Sequence, residues 1–213
     1  ETFFKQLLHW GGRRPMVALS YPALTGGAEL ADVVAAAADT LHWPRFNLVG
    51  TSLGGYVAQW VAVRHAARVH RLVIGNSFGD PTPVQGPDKR QALEARLPDE
   101  VKAEVMARLQ AQPDSELKQV QLELVGRRQS AELLRARMLT VQRAAPVPPL
   151  AVPDERVLIV ECDNDPLIPP PMRAALRAAH PGARHVVVAG GGHYPYLTQA
   201  EAYDAAVGAF LEL

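Results

Sequence analysis

The short run Phe46-Asn47-Leu48-Val49 passes directly into Gly50-Thr51-Ser52-Leu53-Gly54-Gly55, and then into an apolar stretch reaching Ala67. Few chain paths satisfy all three segments. The run reads as a strand and the stretch from Leu53 as a helix, with no residues spare for a connecting loop. Strand and helix must therefore cross closely. Gly50 and Gly54 are expected to be glycine because a side chain there would collide. The helix is apolar around most of its circumference, which predicts a buried, central position. A Gly-x-Ser-x-Gly sequence in this strand–turn–helix setting presents the serine hydroxyl at the carboxyl end of a strand. The helix N-terminus beside it offers unsatisfied N–H groups and a positive dipole end. Ser52 is thus a candidate nucleophile, and Leu53 N–H a candidate donor to a developing oxyanion. The plainer alternative is a glycine-rich turn in which Thr51 or Ser52 caps the helix.

The rest of the chain sets this unit in a repeating pattern. Pro15–Leu19, Arg71–Ile74, Arg156–Val160 and His185–Val188 read as further strands. Glu29–Leu41, Pro170–Ala179 and Thr198–Leu213 read as helices, the first with Leu30, Val33, Val34, Ala37 and Leu41 at helical spacing. Uninterrupted apolar strands alternating with helices predict an α/β fold, a mostly parallel sheet covered on both faces. Residues 80–152 break the alternation. They contain no strand-like run, are punctuated by Pro81, Pro83, Pro87, Pro98, Pro113, Pro146, Pro148 and Pro149, and carry weak apolar stripes such as Val101, Val105 and Leu109. The expectation is a core formed by residues 1–79 and 153–213, with 80–152 as a helical cap packed over the strand ends. An ordinary set of peripheral helices is the alternative.

Composition narrows the function. The 22 basic residues are balanced by 22 acidic ones, which gives no sign of a nucleic-acid or acidic-membrane partner. A single cysteine, Cys162, excludes an intramolecular disulfide and a Cys-rich zinc site, and fits a reducing, cytoplasmic setting. No apolar run is long enough for a membrane span. There is no phosphate-binding loop, no dinucleotide fingerprint and no zinc-ligand spacing, so no cofactor or metal is expected and the partner is a small molecule. The chain begins at Glu1 and opens straight into a helical pattern at Thr2–Trp10, so an upstream portion is expected.

A serine hydroxyl needs a base. Of seven histidines, six lie in or beside ordinary helix and strand patterns. His193 instead follows the run His185–Ala189 and Gly190-Gly191-Gly192, on a loop at the carboxyl end of a strand, the edge where Ser52 is expected. The imidazole needs a carboxylate to fix its tautomer and orientation. Asp165, opening Asp165-Pro166-Leu167-Ile168-Pro169, is preferred. Asp163 is the nearest rival, Glu161 is a further candidate, and Asp80 is a distant alternative. Asn76 and Ser77 follow a strand at the same edge and either line the pocket or make a turn; Tyr194, beside the base, is a candidate pocket wall, as is Tyr196. Arg127, Arg128, Arg135, Arg137 and Arg143 lie in the insertion, and within residues 127–143 only Glu132 opposes them. They read either as a solvated helix face or as a receiver for an anionic substrate tail.

The segments GTSLGG, DNDPLIP and GGGHYPYL resemble the three catalytic segments of the α/β-hydrolase superfamily, in the chain order Ser, Asp, His. The resemblance implies a Ser52–Asp165–His193 triad that cleaves an ester or related acyl bond without a cofactor. More narrowly, FFKQLL, ALSYPAL, GTSLGGYVAQ, GNSFGD and GGHYPYL resemble the maspardin group. That resemblance implies an alternative function as a silent binding or adaptor protein, because animal maspardin has asparagine in place of the catalytic histidine. This chain departs from maspardin in having His193. The superfamily pattern also supplies a second oxyanion-hole N–H from an upstream strand and loop, which here are expected before Glu1.

Overall fold

The structure, a computed structural model, describes residues 2–213. Its centre is a four-stranded parallel sheet of β1 (Phe46–Thr51), β2 (Val69–Gly75), β3 (Val157–Cys162) and β4 (Arg184–Val188), which lie side by side in chain order. The α/β fold with a mostly parallel sheet is therefore as the sequence pattern implies. Parallel neighbours need crossover connections, and these wind right-handed. Sheet order follows chain order, so successive crossovers fall on the same face. That face is covered by α2 (Gly27–Thr40), α3 (Leu53–Arg64) and α8 (Pro170–Ala179). The opposite face is covered by α1 (Phe4–Trp10), α9 (Pro195–Thr198) and α10 (Ala200–Leu211).

Strand side chains alternate between the two layers, as period-2 geometry requires. Leu72, Ile74, Val157 and Ile159 join the first core with Leu30, Val57, Val61 and Leu176. Val73, Leu158, Val160 and Cys162 join the second with Trp10, Tyr203, Val207 and Phe210. β3 is buried at every position, hence its unbroken apolar run. Helix α3 is buried along Tyr56, Val57, Ala58, Gln59, Val61 and Ala62, as its all-round apolar pattern predicts. Its buried Gln59 is satisfied by donating Nε2 to Gly55 O and Phe78 O.

One expected strand does not form. Residues 15–19 run as irregular chain, with Met16, Val17 and Leu19 36%, 47% and 37% exposed. The apolar run has strand propensity, but a strand exists only where a neighbour takes its N–H and C=O groups. None of the four strands pairs with it. The C-terminal helix also starts earlier than expected and is broken at Gln199, between α9 and α10.

Between β2 and β3 the chain makes four helices: α4 (Pro87–Ala95), α5 (Pro98–Gln110), α6 (Glu116–Glu123) and α7 (Ala131–Arg143). Pro87 and Pro98 occupy the first helical turns, where a missing N–H costs nothing. Leu93, Val101 and Leu139 form a small core of their own. A π-helical turn, Leu124–Arg128, extends α6 and was not legible in the sequence. The segment rests on both layers. Leu117 and Val120 of α6 pack, as Tyr194 does, on the second layer's cluster, while Val141 of α7 packs on the cluster that also takes Leu53 and Tyr21. Tyr56 donates its hydroxyl to Ala145 O and Val147 N–H donates to Gly79 O, which ties the return path to the sheet. No helix is long and apolar enough to cross a membrane among the described residues.

Candidate active site

The turn after β1 is as tight as the sequence requires, though the glycines divide the work differently. A Cβ on Gly50 would lie 2.2 Å from Gly54 O, an impossible approach. On Gly55 it would lie 2.6 Å from Ser77 Cβ. On Gly54 it would meet nothing within 4 Å, so the second close contact belongs to Gly55, not to Gly54 as expected. Ser52 takes φ 56° and ψ −125°, a region that L-residues rarely enter. Its backbone is held on all sides. Ser52 N–H donates to Gly75 O at 2.9 Å, and its carbonyl accepts from Gly55 N, Tyr56 N and Ser77 Oγ, the last at 2.7 Å. Ser77 thus braces the strained residue from beneath and is 1% exposed. Leu53 opens α3 directly after Ser52, with its side chain in the first core layer.

His193 is buried, and its Nδ1 lies 3.0 Å and 2.9 Å from Asp165 Oδ1 and Oδ2. The Asp165 side chain is fully shielded. Its Oδ1 also accepts from Leu167 N and Ile168 N, which fixes the carboxylate before it meets the imidazole. The loop carrying His193 is fastened one peptide at a time. Asp163 Oδ1 accepts from Gly190 N at 2.8 Å, Asn164 Oδ1 from Gly192 N at 2.8 Å, and Thr198 Oγ1 donates to Gly191 O at 2.7 Å. Gly190 and Gly192 have positive φ, 67° and 59°, which explains two of the three consecutive glycines. The third, Gly191, leaves only 2.7 Å between a Cβ and Cys162 Sγ.

The structure brings Ser52, Asp165 and His193 to the carboxyl-terminal edge of the sheet, following β1, β3 and β4. Asp163, the rival acid, is engaged by Gly190 N–H, and Asp80 accepts from Thr82 N in a turn of its own. Glu161 faces away, pairing with Arg177 and His185.

Asn76 is not where a substrate contact needs to be. It is 0% exposed, so the pocket-lining alternative gives way to an internal one. Its Oδ1 accepts from Cys162 N at 2.9 Å and its Nδ2 donates to Gly192 O at 2.9 Å, joining the ends of β2 and β3 to the His193 loop. Tyr194 is half-buried and meets the His193 ring edge-on at 5.0 Å, and burial raises its hydroxyl pKa. Tyr196 is buried and stacks on Phe3, a packing role. Asn164 is a further positioning residue beyond the sequence candidates. The Asp163-Asn164-Asp165 run after a strand was the available signal, since short Asp and Asn side chains recurrently cap loop N–H groups. Burial raises the pKa of the Cys162 thiol, which keeps it out of thiolate chemistry. Among the described residues no cluster of three or more His, Cys, Asp or Glu side chains is arranged to hold a metal ion.

Comparison with known proteins adds relatives to this geometry. Human maspardin is 38% identical over 85 residues, which cover 38% of this chain and 27% of maspardin. The pimeloyl-[acyl-carrier protein] methyl ester esterase of Neisseria meningitidis is 29% identical over 194 residues, covering 85% of this chain and 61% of the esterase. The chain thus spans about a quarter of the maspardins it matches. A thermophilic esterase from Thermogutta terrifontis, solved with malate bound, superposes with a TM-score of 0.75 at 18% identity, over 99% of this chain and 84% of the esterase. At that identity the likeness speaks for the fold alone. The sequence pattern of the alpha/beta hydrolase family matches residues 6–206, nearly the whole length, and the chain belongs to that family.

Proposed function

We propose that this protein is a serine hydrolase that cleaves an ester or related acyl bond through Ser52, His193 and Asp165. The observation that carries the reading is the buried His193–Asp165 pair, on a loop at the same sheet edge as the strained Ser52 turn. In this reading Ser52 Oγ attacks the substrate carbonyl while His193 Nε2 takes the hydroxyl proton. Asp165, on Nδ1, holds the tautomer that leaves Nε2 free to accept and stabilises the imidazolium that forms. The tetrahedral oxyanion is met by Leu53 N–H at the start of α3. Collapse expels the alcohol, which receives the proton from His193. Water, deprotonated by the same nitrogen, then releases the acid and restores Ser52. Helices α4–α7 serve as the cap over the acyl pocket, with Tyr194 as part of its wall. No cofactor takes part, and a single buried thiol suits a reducing compartment such as the cytoplasm.

The test is hydrolysis of a short-chain nitrophenyl ester by the purified protein and by Ser52→Ala. We expect turnover in the first and a loss of at least about 10³-fold in the second. Equal rates would sink the reading. A second reading, a catalytically silent binding protein, is favoured by the maspardin match. A fluorophosphonate probe separates the two, because stoichiometric labelling at Ser52 requires an activated hydroxyl.

A further inference from the structure

The five arginines between residues 127 and 143 are not equivalent. Arg127 and Arg128 pair with Glu123. Arg135 donates to Leu93 O and Glu94 O, and Arg143 to Glu94 and Thr25. Arg137 stands apart. Among the described residues its Nε is buried without an acceptor, and no carboxylate is paired with it. Its neighbour is Tyr21, whose hydroxyl is pushed up to about 12 by burial and so stays a neutral phenol at physiological pH. A half-buried guanidinium therefore sits beside an uncharged partner, and burial lowers its own pKa. A buried N–H donor left without an acceptor costs free energy that an arriving anion would recover.

Its location points to which anion. Arg137 precedes Val141 by one helical turn, so the two share a face of α7. Val141, Tyr21 and Leu53 pack on one cluster, and Leu53 is the residue after Ser52. Helix α7 is pinned over this region by Thr140 Oγ1 to Leu24 O and by Arg143 to Thr25 Oγ1. Arg137 is thus carried on the layer of the molecule that also holds Leu53.

We propose that Arg137 binds a carboxylate on the substrate, so that the preferred substrates are esters carrying a free acid group, such as half-esters of dicarboxylic acids. The guanidinium receives the carboxylate in a two-pronged pair. The ester carbonyl at the other end of the molecule is then directed to Ser52. The proposal rests on the serine-hydrolase reading for its chemistry but not for its binding.

Binding and turnover are therefore measured separately. Calorimetric titration of Ser52→Ala with monomethyl succinate, adipate and suberate, and with the matching dimethyl esters, reads the anion site without hydrolysis. At least one half-ester is expected to bind about tenfold or more tighter than its diester. Adding Arg137→Met removes that preference and leaves diester binding unchanged, which doubles as the control for folding. Arg137→Lys, with the charge but not the fork, retains part of it. Equal binding of half-esters and diesters, no binding of any, or a preference that survives Arg137→Met overturns the proposal. Half-ester binding without hydrolysis by the Ser52 protein removes the hydrolase reading and leaves the anion site standing.

Discussion

At the scale of single residues, the turn around Ser52 shows how far a motif can be trusted. Its flanking glycines look alike in the sequence, yet only one is sterically obligatory. Gly50 faces Gly54 O at a distance no Cβ can share, whereas Gly54 faces open space. Gly50→Ala is expected to destabilise the protein by about 3 kcal/mol or more, because the backbone itself must shift. Gly54→Ala is expected to be neutral or to stabilise by up to ~1 kcal/mol, since it rigidifies a helix start without strain. Chemical denaturation of the two variants measures the difference, and similar midpoints would refute the assignment. The tight glycine that the motif does not name, Gly55, is legible only once Ser77 is known to lie against it. Asn76 illustrates the same limit. Its place after a strand at the active edge was plain, but its burial depends on β3 and the His193 loop converging on it from far along the chain.

At the scale of elements, the strands β1 to β4 and the helices between them were readable because each is a buried apolar run or stripe. The exception, residues 15–19, has the composition of a strand without a neighbour to make it one. Pairing is a tertiary property, and local sequence does not carry it. The pairing of loops is likewise invisible locally. Asn76 joins the ends of β2 and β3 to the loop that presents His193, accepting from Cys162 N and donating to Gly192 O. Asn76→Asp tests that joint with nearly no change of shape. The carboxylate can still accept from Cys162 N but offers no donor to Gly192 O, so one bond is exchanged for a repulsion. We expect turnover of a nitrophenyl ester to fall by about 10–100-fold, as a displaced base predicts, at a cost of about 1–3 kcal/mol in stability. The fall should lie in kcat more than in KM. Unaltered kcat in a folded protein would show that the loop is held adequately by Asp163, Asn164 and Thr198 alone.

At the scale of the whole molecule, the helical segment α4–α7 acts on connectivity as well as on packing. It divides the chain between β2 and β3, leaving Ser52 in the leading half and Asp165 and His193 in the trailing half. Each half holds two strands, and the seam between them is the parallel register from Leu72 with Val157 to Gly75 with Val160. Residues 111–115, between α5 and α6, are exposed throughout and lie outside both sheet layers. A chain cut there would yield two pieces, neither with all three residues of the proposed triad and each with a bare strand edge and an uncovered apolar face. Hydrolysis should therefore be absent from either piece alone and should return when they are expressed together, by an amount that reports how often they meet. Fused to two other proteins, the pieces would become a proximity sensor whose signal is ester turnover.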